Sequence, residues 1–348
     1  MTIYVDGEGG SVRRGWARTL AVVSTTSVLL GAALISSPFA GAAHAPALDQ
    51  PLGVAASGGH VWVANARGNS VSEFDVTSGA LVRTIPRSTY GFATPIGIGT
   101  NRSNVWVANK SANSLTELSA KTGALERIVK GPSYHFSDPI GLAFSGPYLW
   151  VASETGGLSE ISAINGALIR VVTPKVGDFD NPVDVTVSGN MVWVANEAGD
   201  SLSELNATNG TLVRNITSSG AFIAPIGLAV SDQSLWVSAA SGNGVAQLDV
   251  SSGALVRFIT DAKFKFNAPW NIMINRTHLW VVNANGNSVT ELDASTGTLI
   301  RVISGHKYGF DNPIALVSVG NEIWIANGAG NSVTVVNAAT GALVHYLR

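Results

Sequence analysis

"VWVANARGNSVSEFD", residues 61–75, decides the fold. Its apolar and polar positions alternate, break at a small polar turn, and alternate again, which reads as strand, turn, strand. Variants recur as "VWVANKSANSLTELS" at 105–119, "LWVASETGGLSEIS" at 149–162, "VWVANEAGDSLSELN" at 192–206 and "LWVVNANGNSVTELD" at 279–293. Counting from one tryptophan to the next (Trp62, Trp106, Trp150, Trp193, Trp236, Trp280, Trp324) gives steps of 44, 44, 43, 43, 44 and 44. The prolines that precede a short apolar run (Pro51, Pro95, Pro139, Pro182, Pro225, Pro269, Pro313) keep the same steps. Seven units therefore run from about Leu48 to Arg348. A fixed period of this size marks a repeat architecture rather than a motif used many times for chemistry.

Each unit holds four strand-like runs, in the second unit "PIGIG", "NVWVANK", "NSLTELS" and "ALERIV". Between the third and fourth runs stands "AKTG", elsewhere "VTSG", "ATNG", "ASTG" or "AATG", a small polar turn whose glycine suits a positive φ. Four short antiparallel strands per unit of about 44 residues predict an all-β chain, a seven-bladed β-propeller of four-stranded antiparallel blades over residues 46–348. Charged residues are only 13% of the chain and hydrophobic ones 46%, which suits sheets covered on both faces.

In the first run the residues two and four after the proline are small (Gly97 and Gly99, Gly141 and Ala143, Gly227 and Ala229), and those one and three after it are bulky, as in Ile96 and Ile98. The tryptophan is expected to cover the small face of a neighbouring blade. Five glutamate–arginine pairs stand ten residues apart, Glu73 with Arg83, Glu117 with Arg127, Glu160 with Arg170, Glu204 with Arg214, and Glu291 with Arg301. Five like pairs on one hairpin read as structure, each worth under about 1 kcal/mol if exposed.

Residues 1–45 read differently. Arg13, Arg14 and Arg18 precede an apolar run from Leu20 to Ile35 and a small-residue stretch at Ala40–Ala45, the pattern of an export signal peptide. The apolar run is short for a membrane span. The mature chain is thus expected to be secreted or extracytoplasmic, with no stable membrane span after cleavage. It has no cysteine, so no disulfide staples it. A net charge of −2 offers nothing to nucleic acid.

The run "PIGI…VWVAN…NSV…E…TG…LVR" resembles the YVTN and NHL repeat propellers, over the whole mature chain. Streptogramin (virginiamycin B) lyases and, more distantly, gluconolactonase-type propellers have a similar blade. The resemblance implies one seven-bladed ring, closed between whole blades. It implies little about function, since such scaffolds carry enzymes, sensors and binding modules alike.

Repetition argues for scaffold, so function is expected where it fails. Phe92, Phe136, Phe179, Phe222, Phe266 and Phe310, each three residues before a proline, read as core plugs, with Leu48 in that place in the first unit. Asn65, Asn109, Asn196, Asn283 and Asn327 read as turn chemistry. Two residues after the proline, Asp184, Asn271 and Ala315 replace glycine, and Trp270 replaces an aliphatic residue. The loops of units three and four on the same (top) face are acidic, with Asp138, Glu154, Asp178, Asp180, Glu197 and Asp200. The candidate ligand-binding residues are therefore Asp180, Asp184, Glu197, Trp270 and Asn271. Asp184 is the candidate ligand to a hard divalent cation, Ca or Mg. The histidines show no spacing that would give an imidazole a partner, and His60 and His278 fall on the opposite face. Two functions follow as expectations. The first is an exported binding or interaction module that meets an unidentified protein or small polar ligand through its top-face loops. The alternative is a metal-assisted lactone hydrolase or lyase with its site at the channel mouth.

Overall fold

A computed structural model describes residues 47–101, 103–217, 220–231 and 233–348; the export segment assigned to residues 1–45 lies outside them. Among the described residues no helix is long and apolar enough to cross a membrane. The described chain forms seven four-stranded antiparallel sheets, each built from four consecutive strands. Blade 1 comprises Pro51–Ser57, His60–Asn65, Ser70–Asp75 and Leu81–Ile85. Blades 2 to 7 occupy 95–130, 139–172, 182–217, 225–259, 269–304 and 313–347. The seven-bladed propeller read from the period is the observed fold. Among the described residues no strand is shared between the two ends: Val61, Val63 and Phe74 of blade 1 pack directly on Trp324 and Ala326 of blade 7.

The turn glycines behave as the sequence requires. Gly79, Gly123, Gly166, Gly210, Gly253, Gly297 and Gly341 all have φ between 68° and 75°, the left-handed region where a side chain is strained.

Register assigns the faces. Ala55 opposes Trp62, Trp62 opposes Glu73, and Glu73 opposes Arg83, so all four share one face of blade 1. Trp62 is fully buried and packs on Val105, Val107 and Leu118 of blade 2. The tryptophan thus stands on the same face as its own blade's small residues and reaches the bulky face of the next blade. This corrects the expectation that it covers a neighbour's small face. The physical reason is the wedge shape of the gap. Near the axis the blades nearly touch and small residues predominate; further out the gap widens and takes an indole. A Cβ on Gly97 would lie 1.8 Å from the carbonyl oxygen of Ile140 in blade 3. Gly97→Ala is accordingly expected to destabilise by about 1–3 kcal/mol through overpacking, measured as a lowered denaturation midpoint; an unchanged midpoint would refute the close approach.

The glutamate–arginine pairs are also buried more than expected. The glutamate side chains of the five pairs are only 0–3% exposed and their arginines 25–40%. In blades 1, 4, 5 and 6 the arginine continues outward to the next blade. Arg83 donates to the Thr122 carbonyl, Arg214 to those of Ser251 and Ser252, Arg257 to that of Thr296, and Arg301 to that of Ala339. Carboxylate, guanidinium and neighbouring turn form a brace across the seam. At the closure between blades 7 and 1 the brace is replaced by the His345 ring lying against Gly79.

The top-face loops carry a second set of ties. The side-chain oxygen of Asn69 accepts the backbone N–H of Thr94 in the next blade at 2.8 Å. Asn113, Asp200, Asn243 and Asn287 do the same for Asp138, Ala224, Ala268 and Asn312. Asn331 closes the ring onto Gln50. The repeated phenylalanines are core plugs as expected, Phe92 and Phe222 being fully buried. Asn65 is not turn chemistry: it ends the second strand, fully buried, and its amide donates to the Ser70 and Ser72 hydroxyls.

Candidate functional site

The residue after the buried asparagine, or its equivalent, opens the loop between the second and third strands on the top face. Around the ring this position reads Ala66, Lys110, Glu154, Glu197, Ala240, Ala284 and Gly328. At Gly328 a Cβ would meet Leu52 and Ile314, the residues that follow the prolines of blades 1 and 7. The position therefore sits above an apolar ring, where small residues are the norm and charge is not. Three successive blades break that norm with a lysine and two glutamates.

These three side chains form one cluster. The Lys110 ammonium lies 2.6 Å from a Glu154 carboxylate oxygen, with the two side chains 19% and 12% exposed. Burial pushes the Glu154 carboxyl above its ordinary range, with Asp138 adding to the effect and Lys110 opposing it. The Glu197 carboxyl is pushed up to about 7, first by burial and then by the charge of Glu154, while Lys110 and a hydrogen bond from the Asn181 side chain pull it down. That bond is 2.7 Å long. One carboxylate stays tied to its lysine and the other titrates near neutrality, which is the difference in environment that separates acid from base.

The same place is where the top-face ties fail. In blade 3 Ser153 pairs directly with Gly157, whereas in blade 1 Asn65 pairs with Ser70, so the loop is one residue shorter. Gly156, which has no side chain to donate or accept, stands where the other blades carry the tying Asn or Asp. The seam between blades 3 and 4 has no such tie, and Asn181 turns its amide to Glu197 instead.

The residues singled out by sequence fall in separate places. Glu197 belongs to the cluster. Asp180 is exposed in the loop entering blade 4, and its carbonyl accepts the Gly199 N–H. Asp184 is a brace: one oxygen accepts the N–H of Val185 and the other that of Leu228 in blade 5, each at 2.9 Å. Burial raises its carboxyl to about 7. Trp270 packs into the core between blades 6 and 7, and its carbonyl accepts from Ser238. Asn271 follows it on blade 6, with blade 5 between it and Asp184. This donor set does not fit a divalent cation. Both Asp184 oxygens already accept backbone N–H groups, and among the described residues no three His, Cys, Asp or Glu side chains gather as metal ligands.

Sequence reasoning named Glu154 and Glu197 as acidic loop residues but did not see them, with Lys110, as one column. Aligning the units at the residue after the asparagine shows it.

No protein-family model matches the chain, and no curated protein matches it. Solved structures do. A streptogramin B lyase superposes with TM-score 0.69 at 19% identity, over 81% of this chain and 92% of that one. A catalytically inactive virginiamycin B lyase from Staphylococcus aureus with quinupristin gives 0.67 and 19%, over 82% and 93%. The hydrazine synthase of Kuenenia stuttgartiensis gives 0.70 and 15%, over 87% and 99%. At these identities the likeness is one of fold.

Proposed function

We propose that this propeller is an exported binding module of the YVTN/NHL repeat kind. Its top face, at the seam of blades 2 to 4, holds a small polar ligand that carries an ammonium or guanidinium group. The observation that supports this is the single broken column, Lys110, Glu154 and Glu197, in a ring otherwise filled by alanine and glycine. One lysine here faces two glutamates, with Asp138 and Asp200 acting on them as further negative charges, so the cluster has more carboxylates than cations. A bound cation would ionise Glu197 and expel its proton. Titrating the protein with 1,4-diaminobutane at pH 7 is expected to give saturable binding with proton release, read by calorimetry in buffers of different ionisation heat. Glu197→Gln is expected to abolish the proton release. No saturable binding in the parent would overturn the reading.

The raised Glu197 carboxyl also has a stability consequence. Its folded value of about 7 lies above the ordinary 4.5, so the native state holds the proton more tightly. That stabilisation is complete below about pH 4.5 and is lost as pH rises towards 7. Glu197→Gln removes the dependence. The variant is expected to gain about 1–2 kcal/mol on the parent between about pH 5 and pH 8, after allowing for solvent screening. Denaturation curves at the two pH values check it, and a constant difference would contradict it.

A lyase or lactone hydrolase is the second reading. It is favoured by Glu197 titrating near neutrality beside Glu154, as a general base must. Incubation with quinupristin tests it by ring opening that Glu197→Gln abolishes; an intact ring in the parent would overturn it.

A further inference from the structure

On the opposite face, a cleft of about 300 Å³ opens between blades 6 and 7, lined by Asn275, Arg276, His278, Trp280, Asn321 and the turn at Ala338–Ala339. The expectation that no histidine has a partner fails here. His278 begins the second strand of blade 6, and its Nδ1 meets a carboxylate oxygen of Glu291, which is fully buried. The other Glu291 oxygen is held by Arg301 at 2.6 Å. A carboxylate only accepts, so Nδ1 carries the proton and Nε2 is the ring nitrogen left for the cleft. His60 and Glu73 make a like pair in blade 1, at 3.1 Å.

Beside His278 in the cleft stands Arg276. It has φ 58° in the hairpin between the first and second strands. Blades 1, 3, 4 and 7 fill the same left-handed position with Gly58, Gly146, Gly189 and Gly320, at φ 56–61°. An arginine there is strained where glycine is free. An equivalent cleft between blades 2 and 3 is lined, among the described residues, by Asn101, Ser103, Asn104, Gly146, Pro147, Ala163 and Ile164, and there Asn104 stands in the place of His278. The groove is thus a product of the repeat; Arg102 of blade 2 shares the sequence position of Arg276, and blade 6 alone joins an arginine there to a histidine two residues on.

We infer that this cleft binds a phosphate group, free or as a monoester, between the Arg276 guanidinium and His278 Nε2. The guanidinium fork matches two phosphate oxygens, and a phosphate hydroxyl can donate to the ring nitrogen. The nearby acids are otherwise engaged. Glu291 is bound by Arg301 and His278, and Asp293, the register partner of His278, caps its own turn through Ser295 and Thr296.

The test uses the full chain with 15N-labelled histidine. Inorganic phosphate is titrated against sodium chloride at matched ionic strength, and glycerol phosphate in a second arm. One histidine ring is expected to shift saturably, identified by its loss in His278→Asn, a substitution that copies Asn104 of blade 2. Arg276→Gly restores the residue of blades 1, 3, 4 and 7, so its melting temperature is expected to hold or rise while phosphate affinity falls about tenfold or more. Tighter binding in either arm identifies free phosphate or a monoester as the ligand. No saturable shift, or an affinity unchanged in Arg276→Gly, overturns the inference.

Discussion

Trp106→Ala is expected to destabilise the propeller by about 3–5 kcal/mol, the cost of deleting a buried large aromatic. Trp106 is fully buried and fills the gap between blade 2 and the Leu149, Val151 and Ile161 face of blade 3. The neighbours cannot collapse into the void, because closer to the axis Gly97 already meets the Ile140 backbone. Chemical denaturation reads the loss, and a midpoint shift under about 1 kcal/mol would show that the seams are not held by the indoles. The same truncation at Trp236 or Trp324 is expected to cost a similar amount, since every seam repeats the arrangement.

Arg127→Ala is expected to cost about 3 kcal/mol near neutral pH, because it strands a buried carboxylate. The Glu117 side chain is fully buried, 2.5 Å from the Arg127 guanidinium and bonded to the Asn104 amide. Burial raises the Glu117 carboxyl, and Arg127 is the largest influence opposing that rise. Without the arginine the carboxyl rises further. The folded state then favours the protonated form, so the cost is fully present above the new folded value and fades as pH falls towards the unfolded one. Denaturation at acid and neutral pH should therefore show a small and a large deficit respectively. The double variant with Glu117→Gln should recover most of the loss, as blade 5 manages with Gln247 bonded to Ser234. A deficit that does not vary with pH would mean the arginine acts only through packing.

The scaffold was legible because it is periodic: tryptophan, proline and turn glycine recur at one spacing, and each occupies the place its chemistry implies. Facing directions were less legible. Trp62 was assigned to the wrong partner face because alternation shows which residues share a face, not how the gap between two blades tapers. The glutamates were thought to be exposed because their neighbours across the strands cannot be counted from one strand. The histidine pairs were missed for a related reason. His278 and Glu291 are thirteen residues apart and meet only through an antiparallel register that places His278 beside the end of the next strand. Asp184 stood out as an anomaly, and it is one, but its oxygens serve the backbone of blade 5. The column that matters most, Lys110 with Glu154 and Glu197, was present in the sequence four residues after each tryptophan, but its charges lie in different units and read singly as loop charges.

The measurement that bears most directly on this account is the titration of the Glu197 carboxyl carbon by NMR from about pH 4 to 9, with and without 1,4-diaminobutane. The account expects a midpoint near 7 in the free protein and a lower one with the diamine. A midpoint in the ordinary carboxylate range, or one that the diamine does not move, would contradict it.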